Sequence, residues 1–89
     1  MNVHRLKSWP RLFAAICSGE KTHELRKDDR GFQVGDLIDL LEYDPGREAF
    51  TGRERRVEIT YITDSSRPCA LSQAALADGY CILSVRLRD

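Results

Sequence analysis

SGEKTHELRKDDRGFQVGD, residues 18–36, is the stretch whose reading decides the fold. Charged side chains crowd it, yet it does not read as one solvated loop. SGE closes a helix. KTHELRK alternates as a strand, with Thr22, Glu24 and Arg26 on one side and His23, Leu25 and Lys27 on the other. DDRGFQVGD then turns the chain, with Gly31 and Gly35 where the backbone needs unusual freedom. Only alternate residues of the strand can face a common surface.

Working outward, residues 3–7 set Val3, Arg5 and Lys7 against His4 and Leu6, the pattern of a short half-buried strand. SWPRLFAAICSGE reads as a helix with Pro10 in its first turn and Gly19 just past its last. Trp9, Leu12, Phe13 and Ile16 fall on one face, and burying such side chains is worth about 1.5–3 kcal/mol each. Downstream, DLIDLLEY is a strand with aliphatics on both sides. DPGREAFTG is a hairpin loop carrying Pro45 and Gly46.

RERRVEITYIT is a long strand that places Val57, Ile59 and Tyr61 on one face. Leu71 and Leu76 bracket Ser72 as a hydrophobic staple would, predicting a short helix up to Gly79. YCILSVRLR closes the chain with Cys81, Leu83, Val85 and Leu87 inward and Ser84, Arg86 and Arg88 outward. The order β-α-β-β-β-(α)-β predicts an α+β domain over residues 1–89. Its expected form is a mixed sheet of about five strands, curled into a small barrel, with one or two flanking helices.

The composition is that of a globular chain: 89 residues, 42% hydrophobic and 31% charged. No apolar run approaches the ~20 residues that cross a bilayer. MNVHRLKSWP has basic residues but no apolar segment behind them, so a cytoplasmic protein without a membrane partner is expected. Cys17, Cys69 and Cys81 lack metal-site spacing, and Cys17 and Cys81, on apolar faces, are expected to be buried, inert thiols. Formal net charge is zero, but residues 1–30 carry seven basic and four acidic side chains, whereas residues 31–50 carry one and five. Any polyanion site must therefore be local, and arginine, at eleven against three lysines, suits its construction.

Lys21, Glu24 and Arg26 form the best candidate site. Glu24 and Arg26 project from one strand face with Thr22, and Lys21 at the helix–strand junction reaches over it. A carboxylate between two cations stays ionised and accepts hydrogen bonds, while the cations remain able to take an anion. The same spacing also fits a solvated salt-bridge ladder worth about 0–1 kcal/mol per pair. Arg47, Arg53, Arg55 and Arg56 interleave with Glu48, Glu54 and Glu58, which reads as a solvated strand rather than a phosphate track. His4 and His23 lack a third partner at ligand spacing, so neither a metal nor a cofactor is expected. Tyr61 and Tyr80 offer either a face for a base or core and rim packing.

With these pieces in place, the run LKSWPRLFAAICSGEKTHELRKDDRGFQVGDLIDLLEYD, followed by FTGR and GYCILSV, resembles the ASCH family of the PUA-like superfamily. It looks most like a small bacterial and phage branch catalogued as a domain of unknown function. The most specific parts are SGEKTHELRKDDRGFQVGD and EYDPGREAFTGR, with ITYIT and GYCILSV filling later strands. The resemblance implies a barrel with a cleft beside its helical flank, binding RNA or modified nucleosides. Lys21 matches the lysine of the G-x-K-T-x-E/T-x-R signature, and Glu24 and Arg26 match its later positions. His4, Lys7 and Arg30 join them as candidate ligand-binding residues bordering the same cleft.

The expected function is an RNA- or nucleotide-binding module. Lys21 and Arg26 would contact phosphate or carbonyl oxygens, and Glu24 would accept from a base amine. One alternative is a small hydrolase acting on a modified nucleoside, like the acetylcytidine amidohydrolases, or on RNA. Those relatives pair the lysine with a threonine and a distant glutamate. Here Glu24 stands in the threonine's place, and no glutamate follows Ile62. A second alternative is a protein-interaction or inhibitory module of phage origin, using the acidic stretch 36–48 as its contact surface.

Overall fold

Alternation at the N-terminus builds the first wall of the molecule. In the computed structural model, which describes residues 1–88, β1 (Val3–Ser8) turns His4, Leu6 and Ser8 inward and its odd residues outward. The helix α1 (Pro10–Ser18) follows, its first turn preset by Pro10. Gly19 ends it in the left-handed conformation, at φ 84°, which a residue with a side chain adopts only at a cost. The Gly19 N–H bonds to the Ile16 carbonyl at 3.1 Å, and the Lys21 N–H to the Ala15 carbonyl at 3.0 Å. The helix end thereby fixes where Lys21 emerges.

The remaining strands are β2 (His23–Lys27), β3 (Leu37–Asp44), β4 (Ala49–Thr63) and β5 (Tyr80–Leu87). They form one five-stranded mixed sheet in the order β1-β3-β4-β5-β2. β1 pairs with β3 in parallel, with Leu6 opposite Leu40 and Ser8 opposite Glu42. The other pairings are antiparallel. Phe13 and Ile16 of α1 join Leu6, Ile38, Leu40, Val57, Ile59 and Leu83 in a continuous core. The α+β class and the element order agree with the sequence, but the sheet is a half-barrel rather than a closed one. No strand pairing joins β1 to β2, the two edges. Side chains span them instead: Arg26 donates to the Lys7 carbonyl at 2.5 Å, and Arg30 to the Arg5 carbonyl at 3.4 Å.

Several expectations need correction. Tyr61 does not share the inward face of Val57 and Ile59. The β4–β5 register shifts between Ile59 and Tyr61, so Ile62 is buried and Tyr61 exposed. An extra residue in a strand reverses which side chains point inward beyond it. The 49–52 segment, expected in the hairpin loop, is the start of β4. Leu71 is fully exposed and staples nothing, and the following element is a four-residue 3₁₀ turn, Gln73–Leu76. Cys17 is exposed, like Cys69, because it lies on the flank of the α1 stripe centred on Phe13 and Ile16. Cys81 is buried, which pushes its thiol up to about 11. Trp9 and Leu12, the other half of that helical stripe, are exposed as well.

Candidate functional site

β2 is patterned against its own hydrophobicity. Glu24 is 5% exposed, while its neighbour Leu25 is 59% exposed. The aliphatic side chain is outside and the carboxylate inside. Two cations hold that carboxylate. Lys21 Nζ lies 3.1 Å from one oxygen of Glu24, and Arg26 Nε donates to the other at 3.1 Å. Lys21 Nζ also donates to the His23 carbonyl, and Arg26 clasps the Lys7 carbonyl across the barrel gap. The three residues expected to act together converge, and they are locked by hydrogen bonds.

They line a cleft of about 500 Å³ with Lys7, Ser8, Trp9, Leu12, His23 and Leu25. Its volume lies in the range of small-molecule sites, and its walls mix apolar surface with a few convergent polar groups. Lys7, Lys21 and Arg26 are set against the single carboxylate of Glu24, which makes the site locally cationic. Ser8 is 3% exposed, and its hydroxyl has no hydrogen-bond partner among the protein atoms. A buried hydroxyl without a partner is costly and uncommon. Glu42, its neighbour across the β1–β3 ladder, cannot easily serve, because Thr51 and Arg53 occupy that carboxylate.

Lys7 and Arg30 border this region in different ways. Lys7 lines the cleft and sets its ammonium 4.2 Å from the centre of the Tyr43 ring. Arg30 lines an adjoining concavity with Tyr80, sharing Leu25 and Arg26 with the cleft. His4 stands apart. It is buried against Phe32, with Nε2 2.9 Å from Asp36. Asp36 also accepts from the backbone N–H of Asn2 and Gln33, each at 3.0 Å. Burial raises the Asp36 pKa, but these bonds outweigh it and hold the carboxyl below its ordinary value. His4 and Asp36 thus fasten the turn before β3 to the start of β1.

The acidic stretch 36–48 is not an open acidic face. Besides Asp36, Asp39 takes a two-pronged bond from Arg56, Glu42 one from Arg53, and Asp44 caps the Gly46 N–H. The hydrogen bonds from Arg56 and Arg53 lower the pKa values of Asp39 and Glu42 respectively. Among the described residues, no group of three His, Cys, Asp or Glu side chains gathers to hold a metal ion. No helix among them is long and apolar enough to cross a membrane.

Sequence reasoning missed Ser8, Trp9, Leu12, His23 and Leu25 as cleft residues, the last two because alternation puts them on the opposite face of β2 from Glu24 and Arg26. Ser8 was legible, since the alternation of His4 and Leu6 carries one step further to it. Trp9 and Leu12 were assigned to the core by helical periodicity, which finds an apolar stripe without saying what covers it.

These features define a class: a small α+β half-barrel with a cationic cleft between two edge strands that do not pair with each other. The chain belongs to the family described as a domain of unknown function (DUF3850), whose model matches residues 3–85. A 64-residue segment is 38% identical to the "Uncharacterized 12.9 kDa protein in GpA 3'region" of Escherichia phage P2. That match covers 72% of this chain and 57% of the phage protein, so the similarity spans little more than half of that relative.

Proposed function

We propose that the chain is an RNA- or nucleotide-binding module whose ligand sits in the cleft of Lys21, Glu24 and Arg26. The observation that carries this reading is the buried Glu24 carboxylate between two cations, on a strand that leaves Leu25 outside. Hydrophobic residues often replace a buried ion pair with no loss of stability, so stability alone does not call for this arrangement. Glu24 has acceptor capacity left for a base amine or ring N–H, and Lys7, Lys21 and Arg26 supply donors for phosphate or carbonyl oxygens. Trp9 adds an aromatic face. Lys21 Nζ donates to Glu24 and to the His23 carbonyl, a holding role that favours binding over use of that amine as a reacting group.

The resemblance to ASCH domains of the PUA-like superfamily supports the same reading, since those domains are associated with RNA and modified nucleosides. Titration with the four ribonucleoside monophosphates and short RNAs tests it, followed through Trp9, the one tryptophan of the chain. Saturable binding that weakens at high salt and falls on Arg26→Ala is expected. Absence of binding by the wild-type protein at millimolar ligand would overturn the proposal.

A further inference from the structure

Trp9 does not stand alone at the cleft mouth. Its ring centre lies 5.8 Å from that of Tyr43, at an interplanar angle of 32°. Tyr43 in turn meets Phe50 edge to face at 5.0 Å. Trp9 is 47% exposed and Phe50 53%. An aromatic row therefore runs from the cleft, across β3, to the start of β4. Such rings each bring a large contact area, and a row exposed at both ends, with Tyr43 half-buried between, marks a contact surface.

We propose that this row continues the cleft as a track for single-stranded nucleic acid. One nucleotide would occupy the cleft, and the following bases would stack along Trp9 and Phe50. The inference rests on the reading of the cleft as a nucleotide site, and it extends that site to an oligonucleotide. Charge decides between nucleic acid and protein as the occupant. The cores of protein–protein interfaces are depleted of lysine. Here the Lys7 ammonium lies in the middle of the row, 4.2 Å from the Tyr43 ring centre and 5.8 Å from that of Phe50. A cation between two stacking faces matches the alternation of base and phosphate along a strand. Beyond Phe50, a smaller concavity of about 220 Å³ sets Arg5 and Arg53 against Glu42 and Glu54, with Arg53 bonded to Glu42, so the cationic groups of the track are Lys7 and those of the cleft.

The test compares a ribonucleoside monophosphate with a mixed-sequence ribotetranucleotide and its deoxy counterpart, on wild-type protein, Phe50→Ala and Phe50→Leu. The track predicts that the tetranucleotide binds at least about tenfold more tightly than the monophosphate. Both Phe50 variants should lose most of that gain while holding the monophosphate within about twofold. Lys7→Gln should reduce the slope of log affinity against log salt by about one. Phe50→Leu keeps an apolar side chain, so it separates loss of stacking from loss of fold. Equal affinity for monophosphate and tetranucleotide would overturn the track and leave the cleft reading standing. Loss of self-association on Phe50→Ala, with tetranucleotide affinity unchanged, would overturn it in favour of a protein contact. If neither ligand binds, the cleft reading itself fails and the track with it. The ribo and deoxy arms then separate RNA from DNA as the source of the strand.

Discussion

Replacing Ser8 by alanine is expected to stabilise the protein. The side chain lies on the inward face of β1, and its hydroxyl is closed to solvent without a protein partner. Burying such a group costs about 1–3 kcal/mol relative to its hydrated state in the unfolded chain. Ser8→Ala removes the hydroxyl and leaves the Cβ packing in place. The expected gain is about 1 kcal/mol, at the lower end because the hydroxyl's dispersion contacts are lost as well. For a domain of this size, that raises the melting temperature by about 4–8 °C. Thermal melts of the wild-type and variant proteins read this gain. A variant that melts at or below the wild-type temperature would refute the reasoning, because it would show the hydroxyl to be satisfied in the folded protein.

Glu24→Ala should destabilise the protein. It leaves Lys21 and Arg26 facing each other in a partly buried site and should cost about 1–3 kcal/mol in urea unfolding, an effect that Arg26→Ala would partly offset in the double variant. Acid should unfold the protein early. Asp36, Asp39, Glu42, Glu58 and Asp64 all have lowered pKa values in the folded state, Asp64 reaching about 2 through its hydrogen bond from Arg67. Their stabilisation is complete above the ordinary carboxylate values and is lost as pH falls below about 4.5 toward 2, so the urea midpoint should drop across that window. Thiol titration under native conditions should modify Cys17 and Cys69 readily and reach Cys81 only on unfolding. Rapid reaction of all three would contradict the core placement of Cys81.

Much of the fold was legible because periodicity and punctuation agree at most positions. Pro10 and Gly19 bracket α1, and the alternation of Cys81, Leu83 and Val85 defines β5. The failures share one physical cause, since local pattern does not know what lies opposite. A shift near Thr60 turns Tyr61 outward, and no sequence rule marks that bulge. The missing β1–β2 pairing leaves Trp9 and Leu12 uncovered, although their helical stripe reads as core. The convergence of Lys21, Glu24 and Arg26 was legible from spacing, but the burial of Glu24 was not. Alternating charges look the same on a solvated strand and in a cleft.

The sheet order has a consequence for how the cleft comes into being. Lys7 and Arg26 are nineteen residues apart in the chain, yet they sit on strands at opposite ends of the sheet. β2 reaches its place only by pairing with β5, the last strand, and β1 only by pairing with β3. The cleft walls therefore meet only after every ladder in between has its register, and such non-local pairings form slowly. A nascent chain still missing β5 would carry all the cleft side chains in order and present no site. Binding of the proposed ligand would thus read out completed folding.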